Sequence, residues 1–494
     1  MRDTIRFLFG ETERAITNPA PTATVLEWLR APVEDGGARA CGTKEGCAEG
    51  DCGACTVVLG EPDGPAMRYR AANACILFLP ALDGKQLLTV EHLADPDGTL
   101  HPVQQAMVAH HGAQCGFCTP GFVMSLFALY HAGRGGARPA ALEALAGNLC
   151  RCTGYRPILD AARAACAGPA ADRFAAAAAA TAARLHALAA RDMLCASRDG
   201  QRFLAPRTTA ELAAALAEYP DATVLAGGTD VGLWVTKQHR RPATLVAVEH
   251  IAGFADIAEQ HGMLSIGAGA TYSAAFAGLT AHWPALAPLL RRLGSTQIRN
   301  RGTIGGNVAN ASPIGDTPPA LIALAATLTL QSTAGTRRID AEAFFHGYRR
   351  TALAPGEFLA RIDIPLPVPG DVFAIYKVSK RMEQDISAVC AAFRLRRGPD
   401  GRVADIRIAY GGMAAVPRRA AAAERALYGQ PWTQAAVAAA MAALDTEFAP
   451  IDDMRASAAY RRLVARNLLL RFLLQTTAAP DTPLGLAEKE EMAA

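Results

Sequence analysis

Twelve cysteines stand in this 494-residue sequence, and eight of them fall into two groups whose spacing suits metal chemistry. The first group is Cys47-Ala-Glu-Gly-Asp-Cys52-Gly-Ala-Cys55, joined later by Cys75. This C-x4-C-x2-C…C pattern is the spacing of plant-type [2Fe–2S] ferredoxins. Four thiolates must converge on two irons, so three share one tight loop and a separate segment brings the fourth. Gly46, Gly50 and Gly53 let that loop take positive φ and turn backbone N–H groups towards the sulfurs. A structural zinc site or buried thiols are the competing readings, but zinc sites usually pair two short C-x2-C knuckles.

The second group is Cys115-Gly-Phe-Cys118 with Cys150-Arg-Cys152. Alternate residues of a strand face alike but lie too far apart for one cluster, so the C-x-C pair needs a loop, and residues 148–154 supply it. Cys115 and Cys118 precede a helix opening at Thr119-Pro120, whose N-terminal dipole favours an anionic cluster. Alone this pattern leaves zinc and iron open; beside the first group it reads as iron–sulfur. Cys41, Cys166, Cys195 and Cys390 match neither pattern and are expected to be small buried hydrophobes, with Cys41 close to the first loop.

Two glycine turns could serve a nucleotide. Val224, Leu225, Ala226, Gly227, Gly228, Thr229, Asp230 and Val231 read as a strand running into a turn, and Thr303, Ile304, Gly305, Gly306 and Asn307 close a second. Such turns let backbone N–H groups approach a diphosphate, yet neither is a G-x-G-x-x-G fingerprint or a P-loop, and an ordinary loop fits as well.

The elements that must position these residues follow from periodicity. Ile5, Phe7 and Phe9 alternate into a strand that turns at Gly10, a helix follows near 24–29, and strands recur at 55–59 and 86–90, a small mixed sheet around one helix. Helical stretches at 102–111, 120–131, 138–147 and 157–166 make a four-helix unit, several opening on proline. Residues 167–200 are alanine-dominated and read as a helical or irregular linker. Beyond Phe203, helices alternate with short Val/Ile/Leu strands, and strands at 373–378, 387–396 and 404–410 precede alanine-rich helices. The length suits about three domains, and the composition (51% hydrophobic, 19% charged, net charge +3) suits a soluble globular protein with no call for nucleic acid or an acidic membrane surface. The N-terminus does not read as a signal peptide, and the longest uncharged apolar run, near 122–130, is shorter than the ~20 residues of a membrane span. A cytoplasmic location is expected, where cysteines serve as ligands rather than disulfides.

The segments Gly42-Thr-Lys-Glu-Gly-Cys47 through Cys55, Gln114-Cys-Gly-Phe-Cys-Thr-Pro-Gly121 and Gly147-Asn-Leu-Cys-Arg-Cys-Thr-Gly-Tyr-Arg-Pro157 resemble the iron–sulfur region of the molybdenum hydroxylases, the family of xanthine dehydrogenase and aldehyde oxidase. Both glycine turns and Asn307-Val-Ala-Asn-Ala-Ser-Pro-Ile-Gly-Asp316 resemble the family's flavin domain. The resemblance implies an α+β multidomain chain: a β-grasp 2Fe-2S ferredoxin domain (1–92), a four-helix 2Fe-2S domain (93–168), an Ala-rich linker (169–200), an α+β FAD-binding domain of the PCMH type (201–368) and a C-terminal CO-dehydrogenase-flavoprotein-like domain (369–494).

It also implies two [2Fe–2S] clusters and FAD, with the two turns on the pyrophosphate and ribityl chain and with Asp316, Leu359 and Lys377 as further flavin contacts. Read without it, Asp316 is a helix N-cap before Thr317-Pro318. Leu293 takes a place where vertebrate members carry a phenylalanine over the flavin. Lys380, Arg381, Glu383 and Asp385 fall on the loop that would approach the nicotinamide of NAD⁺, or form a solvated charged turn. By the same resemblance the molybdopterin cofactor and the substrate chemistry belong to a larger partner chain, in a dimer of heterodimers. No catalytic acid or base is expected on this chain.

Overall fold

The structure is a computed structural model and describes residues 1–477. Contacts group these into two compact units, one of Met1–Ala252 with Gly294–Gly302, the other of Gly253–Leu293 with the chain from Thr303 onward. The stretch 201–368, expected as one domain, contributes to both.

The first unit opens with the β-grasp. Strands β1 (Thr4–Phe9), β2 (Thr12–Thr17), β3 (Thr56–Asp63), β4 (Ala66–Asn73) and β5 (Gln86–Leu88) form one sheet in the order β2-β1-β5-β3-β4, with β1 and β5 parallel and the other pairs antiparallel. Helix α1 (Val25–Arg30) begins where Thr24 and Glu27 satisfy each other's backbone N–H groups in a capping box. It buries Val25, Leu26, Trp28 and Leu29, and Trp28 meets Phe7 and Phe9 edge-on at 5.3 and 5.2 Å. Nothing regular forms between residues 32 and 55, the first cysteine loop.

Four helices follow, α2 (Pro102–Ala109), α3 (Thr119–His131), α4 (Arg138–Leu145) and α5 (Arg156–Ala165), close to the expected spans. Nine of the thirteen residues of α3 are buried, so it is the central helix, apolar nearly all round.

The alanine-rich stretch is better anchored than its composition suggests. It forms α6 (Arg173–Ala176) and α7 (Ala178–Leu188), with Phe174 in the four-helix core and Ala182 and Leu185 buried. Asp172 caps α6 through Ala175 N–H and, deeply buried, accepts from His101 Nε2 at 2.7 Å and His131 Nε2 at 2.9 Å. Burial opposes its charge, but the two imidazole N–H donors prevail and hold the carboxyl below its ordinary range.

A parallel-containing sheet completes the unit: β6 (Leu194–Arg198), β7 (Gln201–Ala205), β8 (Thr223–Leu225) and β9 (Thr244–Ala247), ordered β6-β7-β9-β8, with α8 (Thr209–Glu218) and α9 (Val231–Thr236) as crossovers. Its Phe203, Leu225 and Leu245 share one core with Phe7, Leu29 and Ile76. That shared core explains why residues 201–252 belong with the cysteine-bearing half.

The second unit holds an antiparallel sheet of strands 257–260, 263–267, 358–365, 327–332 and 335–340, in that order, and another of strands 371–378, 389–397, 403–411 and 418–419. Helices Ala421–Leu427, Gln434–Glu447 and Ala458–Thr477 cover the latter. Arg461, 1% exposed, bonds the Ala388 and Gly412 carbonyls and reaches Asp453 at 2.6 Å. Arg461→Met should cost about 2–4 kcal/mol, because it strands two buried carbonyls, read as a lower thermal midpoint at unchanged iron content. Among the described residues no helix is long and apolar enough to cross a membrane.

Candidate iron–sulfur and flavin sites

The loop carrying Cys47, Cys52 and Cys55 turns on positive φ at Gly50 (82°) and Gly53 (69°), as expected. Gly46 does not: it is glycine because a Cβ there would lie 2.8 Å from Cys52 Sγ, and the additional left-handed residue is Ala48 at 54°. The N–H groups of Glu49 and Cys52 point at Cys47 Sγ, at 3.4 and 3.3 Å. Cys52 beside it, then these amides, draw the Cys47 thiol down to about 5 against the effect of burial. Cys52 is pushed far up by Cys47 and by burial, and Cys75 by Cys55 and burial. The four thiols thus stand as two close pairs, Cys47 with Cys52 and Cys55 with Cys75, and a cationic core placed among them would favour the thiolate forms.

Three residues that the sequence reading missed brace this loop. Asn73 Nδ2 donates to the Gly50 carbonyl at 2.8 Å, Thr236 Oγ1 to that of Ala48 at 2.7 Å and Lys237 Nζ to that of Cys47 at 2.6 Å. The last two lie 188 and 190 residues from their partners, beyond any local signal.

At the second site Cys152 Sγ lies 3.6 Å from Cys115 Sγ, close to the ~3.7 Å between two sulfurs on one tetrahedral metal with bonds of ~2.3 Å. Cys118 and Cys150 make the other pair; burial and then Cys150 push Cys118 up to about 12, whereas Cys150, despite burial, is held down at about 7 by Thr153, whose Oγ1 is 3.0 Å from its sulfur. Each knuckle therefore gives one ligand to each pair. A single tetrahedral ion needs all four sulfurs mutually close. An arrangement of two sulfur pairs suits the two irons of a binuclear cluster, while His101, His131 and Asp172 bring three other candidate ligand atoms within 4.8 Å of one another. Cys118 stands at the N-cap of α3, as expected. Tyr155, at φ 68°, accepts the Cys150 backbone N–H on its Oη at 3.0 Å and so holds Cys150 in its loop.

The two loops touch. Leu149 N–H donates to the Cys52 carbonyl at 3.0 Å, and a Cβ on Gly53 would fall 2.2 Å from the Gly147 carbonyl. Of the unmatched cysteines, Cys166 and Cys390 are buried as expected and Cys195 is half-buried, but Cys41 is exposed, because its loop runs along the surface.

In the first unit, β8 carries Val224 and Leu225 and ends in Ala226, Gly227, Gly228, Thr229 and Asp230 before Val231 opens α9. A Cβ on Gly227 would meet the Arg301 carbonyl at 1.7 Å, and one on Gly232 would meet Ile76, the neighbour of Cys75, at 2.8 Å. Asp230 is taken up by Trp234 Nε1 at 3.1 Å.

In the second unit, Thr303 caps the helical turn Ile304–Ala309 by accepting from Gly306 N–H at 2.9 Å, and a Cβ on Gly305 would meet the Ala268 carbonyl at 2.4 Å. Asn307 Oδ1 is buried with no hydrogen-bond partner among the described residues, an acceptor that a nucleotide's donor would satisfy. Leu293 is half-buried, and Leu359 lies buried on strand Phe358–Pro365. Asp316 precedes helix Thr317–Ala323 without capping it by its side chain. The carboxylate instead takes Lys377 Nζ at 2.6 Å and Ser387 Oγ at 2.5 Å, bringing together two of the expected flavin positions. Lys377 and Asp316 are 4% and 7% exposed. Lys377→Met should destabilise by about 3–5 kcal/mol by leaving a buried carboxylate unpaired, and adding Asp316→Asn should recover much of it, as chemical denaturation of the three variants will show.

Comparison with known proteins agrees with this layout. Residues 89–163 match the [2Fe-2S] binding domain, 198–367 the FAD binding domain in molybdopterin dehydrogenase, and 374–476 the CO dehydrogenase flavoprotein C-terminal domain. Xanthine dehydrogenase of Emericella nidulans is 32% identical across 95% of this chain and 38% of its own length; nicotinate hydroxylase hnxS of the same organism is 29% identical across 95% and 40%. The chain spans a third to two fifths of such relatives. Among solved structures, carbon monoxide dehydrogenase from Hydrogenophaga pseudoflava is 31% identical with a TM-score of 0.52, covering 55% of this chain and 94% of that one. Quinoline 2-oxidoreductase from Pseudomonas putida 86 gives 29% and 0.51, with 55% and 94% covered. With its cysteine pairs, its glycine turns and these matches in the same order along the sequence, the chain belongs to the molybdenum hydroxylase family and is an iron–sulfur/FAD chain of it.

Proposed function

We propose that this chain is the electron-transfer subunit of a xanthine dehydrogenase, holding two [2Fe–2S] clusters and FAD in the cytoplasm. The observation that carries the reading is the contact order within the first unit: Cys152 and Cys115 are exposed, Leu149 beside Cys150 bonds the Cys52 carbonyl, and Ile76 beside Cys75 packs on the Gly228–Gly232 turn. When bound, the clusters would carry electrons singly and the flavin would collect two of them, one at a time, and give them up together as a hydride to NAD⁺.

The chain's own residues do the rest. Cys115, Cys118, Cys150 and Cys152 hold the cluster nearer a molybdopterin-bearing large subunit, which performs the purine hydroxylation. Exposed Phe117, Leu149 and Tyr155 beside these ligands offer that subunit an apolar face. Cys47, Cys52, Cys55 and Cys75 hold the cluster nearer the flavin. The turns at 224–231 and 303–307 take the nucleotide, with Leu293, Asp316, Leu359 and Lys377 as further contacts, and the 380–385 loop meets the nicotinamide. Assembly is a dimer of heterodimers.

The relatives that hydroxylate nicotinate and quinoline favour a second reading, the same chain serving another N-heterocycle. Turnover by the complex co-purified with its large subunit decides between them. Xanthine-dependent NADH formation is expected; its absence, with activity on another heterocycle, moves the assignment to the second reading.

A further inference from the structure

One short arm of the flavin-binding sequence, Gly294–Gly302, belongs by its contacts to the cysteine-bearing unit. Its ends are pinned there. Thr296 Oγ1 donates to the Glu143 carbonyl on α4 at 2.8 Å, Arg299 reaches Glu143 Oε1 at 3.3 Å, and Asn300 Nδ2 donates to the Ala71 carbonyl on β4 at 2.9 Å. Between these anchors the arm inserts Gln297, 1% exposed, into the seam between the two cysteine loops.

The seam is polar and its side chains are buried. Gln297 Nε2 lies 3.0 Å from Asn148 Oδ1, 3.2 Å from Ser125 Oγ and 3.3 Å from Thr56 Oγ1. Ser125 donates to Asn148 Oδ1 at 2.6 Å, while Asn148 Nδ2 donates to the Gly53 carbonyl at 3.2 Å. All four side chains are 2% exposed or less. Thr56 follows Cys55, Asn148 lies two residues before Cys150, and Ser125 stands on the helix that Cys118 begins. Glycines make the approach possible: a Cβ on Gly121 would meet the Gly53 carbonyl, and one on Gly147 would meet Gln297 Oε1, each at 2.2 Å.

Gln297 Oε1 is itself buried with no partner among the described residues. An unsatisfied buried amide oxygen is a stability cost that an apolar filler of the same shape would avoid. What the amide supplies that such a filler cannot is direction: it ties Asn148, Ser125 and Thr56 to one point, and so fixes the Leu149–Cys52 hydrogen bond that joins the loops. Electron transfer falls off exponentially with separation, so a fixed seam fixes its rate.

We infer that Gln297 is a positioning residue for electron passage between the two iron–sulfur sites. The inference rests on the two-cluster reading proposed above. The test uses the complete complex carrying Gln297→Met, which keeps the length and removes the polar end, and Ser125→Ala, which takes one donor from the same seam without opening a large void. Arg461→Met, far from any cysteine ligand in sequence and in the other compact unit, controls for general destabilisation.

The readouts are iron per chain, the magnetic splitting between the two reduced clusters in low-temperature electron paramagnetic resonance, and the rate at which the flavin is reduced after rapid mixing with substrate. Parent and variants should hold about four irons. Gln297→Met should weaken or broaden the splitting and slow electron arrival at the flavin about tenfold, the lower end of what outer-shell partners of a metal site carry. Ser125→Ala should act in the same direction by less, and Arg461→Met should leave both unchanged. A Gln297→Met protein that melts earlier but keeps the parental splitting and rate would make the residue merely structural and overturn the inference. If Gln297→Met fails to accumulate, Ser125→Ala decides alone, an unchanged splitting counting against the proposal. About two irons in the parent itself would instead remove the two-cluster reading, and the inference with it.

Discussion

A chain carrying Cys150→Ala will emerge from purification with about two irons in place of about four, its flavin retained. Cys150 and Cys118 form one of the two sulfur pairs at the second site, so the substitution halves the ligand set of one iron while leaving the Cys115–Cys152 pair intact. A binuclear cluster held by three thiolates has lost its fourth anchor and opens to water. Cys150 also lies buried in the core of the four-helix unit, with its N–H on Tyr155 Oη. The Leu149 N–H bond to the Cys52 carbonyl joins this loop to the first site, but the loop of Cys47, Cys52 and Cys55 keeps its own braces in Asn73, Thr236 and Lys237, and its iron should stay. Iron analysis with the visible spectrum checks this. Retention of all the iron would mean that Cys150 is not a ligand.

Gly227→Ala should do the reverse and yield a chain with its iron and without flavin. The added methyl would sit 1.7 Å from the Arg301 carbonyl and 2.2 Å from its carbon. That backbone has little room to retreat: the Arg301 guanidinium makes two bonds to Glu249, at 2.6 and 2.8 Å, Lys85 approaches the same carboxylate at 3.1 Å, and Gly302 N–H is bonded to the Ile298 carbonyl. The turn itself must move, and a turn that presents N–H groups to a diphosphate loses its function when it moves. Gly168→Ala, where a Cβ meets nothing within 4 Å, is the silent control. Flavin bound at full occupancy by Gly227→Ala would remove this turn from the proposed nucleotide site.

The grouping of the cysteines was the most legible part of the sequence, because three of the first four lie within nine residues and the chemistry of thiolates restricts what such spacing can mean. The helices were legible for a similar local reason: α2, α4 and α5 each carry proline in the first turn, and α3 opens on Thr119-Pro120. What escaped was whatever depended on distant partners. Gln297 carries no local signal, because its hydrogen bonds go to residues 149, 172 and 241 positions away. Gly46 was assigned a backbone role when the constraint on it is the nearby Cys52 sulfur. In the alanine-rich stretch, composition hid two anchoring residues, Asp172 and Phe174, among many that do little. At Asp316 the local cap motif was outweighed by Lys377, which sits on a strand 61 residues later and offers a full charge where a cap offers one N–H.

The path of the arm at Gly294–Gly302 bears on how this protein is made and divided. All eight cysteines proposed as ligands have left the ribosome by Cys152, but the residue that fills the seam between their loops is synthesised only after the β6–β9 sheet and helix Tyr272–His282. A fragment cut after the four helices would own every ligand and still leave Thr56, Ser125 and Asn148 open to water. The iron–sulfur portion is therefore not a detachable cassette. Grafts and truncations that respect only the boundaries legible in the sequence should give clusters that load but bleach readily in air, and those that carry the arm should not.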